Sequence, residues 1–419
     1  MRQSGRLRSA LVSCSGAAAL VGLAPAASAE QPAWVQGGEA GFVVSGINYA
    51  MAEDADKTGA CPQGMVEGYK NGGDVFIARG DLQRKPGEKE DAYTQRLFQA
   101  AFTDDGPKNL CQNPELGKPD PRYRVVTNPN VKVWGINLDG VDSKASDGPA
   151  PGYCAHADFA GMNGEKGVDN QFYRINGCQI QWQSTGQNQG FEEEMLTGSW
   201  GILVRLRGVD DIQNDDDIEV DVFSNADPIM LSPGREPLEY ATYSIDQDTA
   251  YQAKTKGKIV NGVLTTEPVD MQFHWIVNSI RLDRPIKHAR FQMTVSKDGV
   301  VEGYLGGYEP VEDLYDYMYG FRDGKDGSGE LAPLRLRAGS AIGKSRVQTY
   351  TCEGVYFAMK KYADGDPDPE TGECTSISTQ YRIKLIPAFV DETVSKSLND
   401  GLAANENKLR ANAAQGQNQ

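Results

Sequence analysis

Six cysteines in a chain that begins with an export signal constrain this protein more than any other feature of its sequence. Residues 1–29 have the layout of a secretory signal peptide. Its positive start, apolar stretch and small-residue cleavage site fall at Arg2 to Arg8, 17–23 and Ala27 to Ala29. An exported chain meets an oxidising environment, so the sequence predicts a secreted or periplasmic protein whose cysteines form disulfides. Leu11 to Cys14 also resembles a lipoprotein box, which would make Cys14 a lipid anchor, but few apolar residues precede it.

The six cysteines that remain after cleavage are expected to act as structural staples. They are Cys61, Cys111, Cys154, Cys178, Cys352 and Cys374. An even number in an exported chain indicates disulfides, although many pairings are open. The simplest prediction joins sequence neighbours: Cys61 to Cys111, Cys154 to Cys178, and Cys352 to Cys374. No pair has the Cys-x-x-Cys spacing, which disfavours a zinc ribbon and a thioredoxin-type redox site.

Composition and charge exclude several classes of protein. The 419 residues are 39% hydrophobic and 24% charged, which is typical of a globular chain. Removal of residues 1–29 takes away three arginines, so the net charge changes from −16 to −19. This charge argues against a nucleic-acid partner, because affinity for a duplex comes mainly from Lys and Arg on the phosphates. After the signal there is no apolar run long enough to cross a bilayer as a helix.

Alternation of apolar and polar residues predicts strands from Val131 onward. The clearest cases are two runs in which an apolar face opposes a charged face. They are Ile202, Val204 and Leu206 with Arg205 and Arg207, and Ile218, Val220 and Val222 with Asp217, Glu219 and Asp221. Asn261-Gly262 and Asp298-Gly299 lie between β-prone runs and are typical hairpin turns.

The pattern as a whole predicts a mainly β fold, a jelly-roll-like β-sandwich with a few peripheral helices. Helical spacing predicts one helix at Glu90 to Phe102 and two later ones, along Leu314 to Phe321 and Val355 to Tyr362. The predicted organisation is a signal peptide at 1–29, an irregular N-terminal subdomain at 30–130, the β-sandwich at 131–394, and a polar, disordered tail at 395–419.

The segment from Cys154 to Cys178 carries the sequence Gly-Val-Asp-Asn-Gln at 167–171 and precedes the strand pair near 202–222. In these features the chain resembles a group of uncharacterised secreted bacterial proteins with no assigned activity. The resemblance covers about half of the chain. It implies a secreted, β-rich fold and nothing about mechanism.

The same segment is the preferred ligand site. Amide and carboxylate groups beside aromatic rings are typical of sugar recognition, because they bond hydroxyl groups while a ring packs against the sugar. The candidate residues are His156, Asp158, Asp169, Asn170, Gln171, Tyr173 and Trp182. The alternative is that Asp169 and Asn170 only cap or turn the local backbone.

A calcium site is a second hypothesis. Hard oxygen ligands alternate along a glycine-containing loop at Asn137, Asp139, Asp142 and Asp147. A complete EF-hand loop would need Glu at its twelfth position, where this chain has Gly148. An ordinary turn without metal is the alternative.

An enzymatic hypothesis rests on Glu219 and Asp221, which share one face of a strand. They resemble the nucleophile strand of jelly-roll glycosidases that cleave β-glucans. Retaining hydrolysis also needs a second carboxyl group as the acid, and Phe223 stands where those enzymes have it. The alternative is a charge ladder with Arg205 and Arg207 on the preceding strand.

Taken together, these patterns predict a secreted or periplasmic, non-catalytic protein that binds a glycan or another envelope component, with calcium as a candidate cofactor. Two alternatives stay open. One is a glycan-active hydrolase that uses Glu219 and Asp221. The other is a structural or assembly protein whose acidic surface keeps it dispersed.

Overall fold

The computed structural model describes most of the chain between residues 32 and 393. The described residues are 32–66, 83–102, 109–144, 150–183, 192, 195–196, 200–277, 280–321, 332, 334–336 and 351–393. The predicted signal peptide, the predicted tail at 395–419 and the calcium candidate Asp147 lie outside these ranges.

Strands dominate the described residues, with 39% of residues in strands against 17% in helices, so the mainly β prediction is confirmed. The strands are β1 (Glu39–Tyr49), β2 (Lys132–Val133), β3 (Ala160–Gly161), β4 (Ile202–Arg207), β5 (Asn214–Ser224), β6 (Ala241–Ser244), β7 (Gln252–Val260), β8 (Val263–Thr266), β9 (Val269–Val277), β10 (Ile280–Val295), β11 (Val301–Pro310), β12 (Gly320–Phe321), β13 (Arg335–Leu336), β14 (Gly365–Pro367) and β15 (Cys374–Asp391). The α-helices are α1 (Ala55–Thr58), α2 (Glu90–Phe102), α3 (Gln171–Asn176), α4 (Val311–Tyr319) and α5 (Cys352–Tyr362). Short 3₁₀ turns lie at Pro114–Leu116, Ile180–Trp182 and Thr249–Tyr251.

Eight antiparallel strands form a sheet that closes on itself. Their order is β1-β4-β5-β7-β8-β10-β11-β15, and β15 pairs in turn with β1. Strands β6, β9 and β14 extend this sheet to eleven strands. These eleven strands form one continuous sheet, and the jelly-roll form of the prediction is not confirmed. Two separate two-stranded sheets pair β2 with β3 and β12 with β13.

Alternation along the strands explains where the core lies. Val204, Val220 and Leu385 belong to the main hydrophobic cluster, which fills the inside of the closed sheet. On the opposite face of β4 and β5, Leu203 and Phe223 belong to a second cluster, which residues 229–245 cover. Each fully buried side chain of this kind contributes about 1.5–3 kcal/mol to folding.

Strand β1 corrects the prediction that residues 30–130 are irregular. It lies between β4 and β15 and is needed to close the sheet. Phe42 faces the main core, while its neighbour Val43 faces the second cluster, and both are at most 1% exposed. Because both faces of β1 are buried around Phe42 and Val43, this part of the strand lacks the apolar–polar alternation by which strands are recognised.

The predicted hairpins and helices are confirmed. Asn261 and Gly262, both with positive φ, join β7 to β8, and Asp298-Gly299 lies in the turn between β10 and β11. Helices α2, α4 and α5 fall where helical spacing predicts them, except that Phe321 belongs to β12. In the described part of the chain, no helix has the length and apolarity needed to span a membrane.

The three disulfides are present, but all three predicted pairings are wrong. The bonds are Cys61–Cys178, Cys111–Cys352 and Cys154–Cys374, with sequence separations of 117, 241 and 220 residues. Pairing of sequence neighbours fails because closure of the sheet brings distant segments together. Each bond therefore ties together two segments that are at least 117 residues apart in the sequence.

Candidate functional site

The predicted ligand residues between Cys154 and Trp182 do not form an open site. The two cysteines of this segment pair elsewhere, so the segment is not a single disulfide loop. Five of the seven candidates are at most 5% exposed: Asp169, Asn170, Gln171, Tyr173 and Trp182. A ligand cannot reach these side chains in this fold, which corrects the prediction for them.

Their polar atoms hold the backbone instead. Asn170 caps helix α3, because its side-chain oxygen accepts a hydrogen bond from the Tyr173 amide at 3.0 Å, while its Nδ2 donates to the Ala50 carbonyl at 2.6 Å. Gln171 Nε2 donates to the Ala157 carbonyl at 3.1 Å. The alternative interpretation of Asp169 and Asn170 as backbone caps therefore matches the geometry.

Three carboxyl groups from this region and from the segment before β14 are packed together inside the protein. Burial raises the pKa of Asp158 to about 6 and that of Asp364 to about 7, and it holds the pKa of Asp169 well above its usual range. Asp158 and Asp364 raise the pKa of Asp169 further by charge repulsion. Backbone amides at Leu138 and Ser143 donate to Asp169 and Asp158. Asp158 and Asp169 thus join loop segments by accepting hydrogen bonds from backbone amides.

The calcium candidates form ordinary turn contacts. Asn137 accepts from the Gly140 amide at 2.6 Å and donates to the Val141 carbonyl, while Asp139 accepts from the Val141 amide at 2.8 Å. Among the described residues, no group of three or more His, Cys, Asp or Glu side chains is placed to hold a metal ion. Nothing in that part of the chain supports calcium at Asn137, Asp139 and Asp142.

The two carboxylates of the hydrolase hypothesis are held by arginines. Arg205 and Arg207 lie directly across from Asp221 and Glu219, as the charge ladder predicts. Asp221 is only 1% exposed and lies 2.7 Å from Arg205 and 2.9 Å from Arg207, so it is not a solvated member of that ladder. Burial raises the pKa of Asp221, but the two arginines outweigh burial and lower it overall. Both carboxylates therefore act as ion-pair partners here, and Phe223 is buried.

A cleft beside helix α5 is the best candidate for a ligand site. Its volume is about 610 Å³, which is within the usual range for small-molecule sites. The α5 cleft is lined by side chains from four separate segments, and one of them, His156, is a predicted ligand residue. The segments are 119–125, 154–156, 354–363 and 373–374.

Aromatic rings form much of the wall of the α5 cleft. Tyr123, Phe357 and Tyr362 are each partly exposed there. The Tyr123 hydroxyl donates to the Ile175 carbonyl at 3.0 Å, which fixes the position of its ring. The ring of Tyr362 lies 5.6 Å from that of His156. Two disulfides secure this wall, since Cys154–Cys374 lines the cleft and Cys352 begins α5.

The polar groups of the α5 cleft are set by burial and by the local backbone. Burial lowers the pKa of His156, and the charges of Arg174 and Lys361 lower it further, so the imidazole is neutral at neutral pH. His156 Nε2 lies 3.0 Å from the Ala363 carbonyl, which can only accept a hydrogen bond. The proton is therefore on Nε2, and Nδ1 is an acceptor. Lys360 and Lys361 are exposed at the same helix end.

Sequence reasoning missed most of this site. Helical spacing puts Tyr362 on one stripe with Val355 and Met359, which is typical of a core position, and Tyr123 and Phe357 carry no local signal. Comparisons of the chain with protein-family models, curated proteins and solved structures give no match.

Proposed function

We propose that this protein is a secreted or periplasmic, non-catalytic binding protein that takes a glycan or another envelope component in the α5 cleft. The observation that carries the proposal is the combination of three partly exposed rings with a neutral histidine and two lysines around one cavity. Rings supply apolar contact to a sugar face, while His156 and the lysines supply hydrogen bonds to hydroxyl or acidic groups.

Export is part of this proposal. The signal-like residues 1–29 and three disulfides both favour an oxidising compartment outside the cytosol. Calcium is not part of it, because the turn at Asn137 and Asp139 is satisfied by its own hydrogen bonds.

The direct experiment is a glycan array followed by titration calorimetry on wild type, Tyr362→Ala and Phe357→Ala. We expect each substitution to weaken binding about three- to tenfold, because an aromatic packing contact contributes about 0.5–1.5 kcal/mol beyond its buried area. Phe389→Ala is the matched control, since Phe389 is 45% exposed and lies outside the cleft. Equal loss in the control, or no ligand on the array, would reject the proposal and favour a structural or assembly protein.

The hydrolase alternative has its own test. Wild type and Glu219→Gln are incubated with β-glucans, and reducing ends are counted. Turnover in wild type that the substitution abolishes would establish the enzyme. Because Glu219 and Asp221 are paired with arginines, we expect no turnover from either protein.

A further inference from the structure

A second depression lies on the outer face of the closed sheet, separate from the α5 cleft. It crosses β1, β15 and β11 and has a volume of about 760 Å³. Most of its lining side chains are polar, and they come in two cross-strand rows. The first row is Asn48, Arg382 and Tyr304, and the second is Gly46, Lys384 and Glu302. We call this feature the outer groove.

The first row holds its donors and acceptors in fixed positions. The Arg382 guanidinium packs over the Trp134 ring at 4.8 Å, which orients its N–H groups. Asn48 Nδ2 donates to Glu192 Oε2 at 2.8 Å, while Asn48 Oδ1 is buried without a hydrogen-bond partner among the described residues. Burial raises the pKa of Tyr304, so its hydroxyl stays protonated and can donate.

The second row is more open. Gly46 contributes no side chain, and a Cβ at this position would lie 3.3 Å from Glu192 Oε2. The missing side chain leaves the floor low between Glu192 and Lys384. Lys384 lies 3.7 Å from Glu302, but both side chains are more than half exposed, so the pair is weak and both groups can turn towards a ligand.

The charge of the outer groove disfavours anionic ligands. Among the residues that the structure describes, four carboxylates line it, from Glu192, Glu236, Glu239 and Glu302, against two cations from Arg382 and Lys384. An excess of carboxylates repels polyanions. Donors and acceptors placed side by side suit hydroxyl groups, which both donate and accept. Neighbouring strands are about 4.8 Å apart, so the rows give a regular array of such groups.

We propose that the outer groove is a second binding site and that its ligand is a neutral, linear glycan. The site is independent of the α5 cleft, and it uses side chains that project from a rigid sheet. Arg382 and Tyr304 donate to ligand oxygens, Glu302 accepts from a ligand hydroxyl, and Gly46 makes room for the sugar ring.

The test is calorimetric titration of the full chain, as it is purified from an oxidising compartment, with malto-, cello- and chitohexaose and with an alginate hexamer. Wild type is compared with Arg382→Ala, Arg382→Gln and Lys384→Ala. Lys256→Ala is the matched control, because Lys256 is also an outward strand lysine with one carboxylate partner, Asp217 at 2.8 Å. Near-ultraviolet circular dichroism shows which variants are folded.

We expect one neutral hexasaccharide to bind to wild type. A folded Arg382 variant should bind it about tenfold more weakly, because a hydrogen bond from a charged donor is among the stronger ones. Lys256→Ala should bind it as wild type does. The part of the binding that the Arg382 variants weaken should persist in Tyr362→Ala, which separates the outer groove from the α5 cleft. The proposal is overturned if none of the neutral hexasaccharides binds, if the Arg382 variants bind as wild type does, or if the alginate hexamer is preferred.

Discussion

The buried ion pair between Arg284 and Glu309 yields the sharpest prediction about stability. Arg284 is 0% exposed and Glu309 1%, and their side chains lie 2.8 Å apart inside the main core. Hydroxyl groups of Tyr49 and Tyr317 accept hydrogen bonds from Arg284 at 2.9 and 2.7 Å, and the ring of Trp275 lies 4.1 Å away. Nη2 of the guanidinium therefore meets a carboxylate and tyrosine hydroxyls in a site closed to water.

Glu309→Gln removes one charge and keeps the shape of the side chain. The guanidinium then stays buried without its counter-charge, and breaking a buried pair in this way costs about 3–5 kcal/mol. Since the amide oxygen still accepts a hydrogen bond, we expect a loss in the free energy of unfolding near the lower end, about 3 kcal/mol. The measurement is urea unfolding of the oxidised protein, followed by tryptophan fluorescence.

Glu302→Gln is the control on the same strand. Glu302 is 65% exposed and pairs weakly with Lys384, so we expect a change below about 0.5 kcal/mol. The double variant Arg284→Met/Glu309→Leu should lose less than the sum of the two single variants, because it leaves no unpaired charge. A loss below about 1 kcal/mol in Glu309→Gln, or strictly additive losses, would refute this account of the pair.

Three further predictions concern the carboxyl groups and the disulfides. Asp364 alone should raise the free energy of unfolding by about 2–3 kcal/mol on acidification from about pH 8 to about pH 5, because the native state holds its proton up to a pKa of about 7 while the unfolded chain loses it near pH 4. Asp158, whose pKa burial raises to about 6, adds to this rise, so Asp364→Asn should reduce the pH dependence without abolishing it. Asp221→Asn should lower the free energy of unfolding in urea by about 2–3 kcal/mol, because two arginines lose a buried carboxylate partner. Asp217→Asn is the control: its side chain is 75% exposed, so the loss should be less than about 0.5 kcal/mol. Replacement of Cys154 and Cys374 by Ser should lower the free energy of unfolding in urea by about 3–5 kcal/mol, since the disulfide between them closes a loop of 220 residues. A loss below about 1 kcal/mol would contradict this reasoning.

Local patterns predicted much of the secondary structure. Alternation placed β4 and β5, Asn261-Gly262 placed the hairpin of β7 and β8, and helical spacing placed α5. In each of these elements one face is buried and the other is not, so apolar and polar residues alternate with the period of a strand or a helix. The first half of strand β1 has two buried faces, and its run Phe42-Val43-Val44 shows no such alternation. Its place between β4 and β15 depends on closure of the sheet, which is a long-range property.

The same distinction explains why most residues of the predicted ligand site are buried. Asp169, Asn170 and Gln171 are adjacent in sequence, and adjacency of polar groups was the whole argument for a site there. Such a cluster has two uses, binding a ligand or tying down local backbone, and composition does not distinguish them. The distinguishing quantity is burial, which depends on segments far away in the chain. The Ala50 carbonyl and the Ser378 hydroxyl, for example, both accept hydrogen bonds from this cluster.

Disulfide pairing is the long-range information that would have changed the site prediction. Had Cys154 been assigned to Cys374 and Cys111 to Cys352, His156 would have been placed beside the start of β15, near the end of α5. The aromatic residues of α5 would then have stood next to a polar segment, and Tyr362 would have become a candidate ring for a ligand rather than a core residue. In a closed sheet, the cysteine partners therefore carry more information about the site than the residues around each cysteine do. Determining the pairing by mass spectrometry of the unreduced protein checks this directly, because neighbour pairs in place of Cys154–Cys374 would separate the segments that form the α5 cleft.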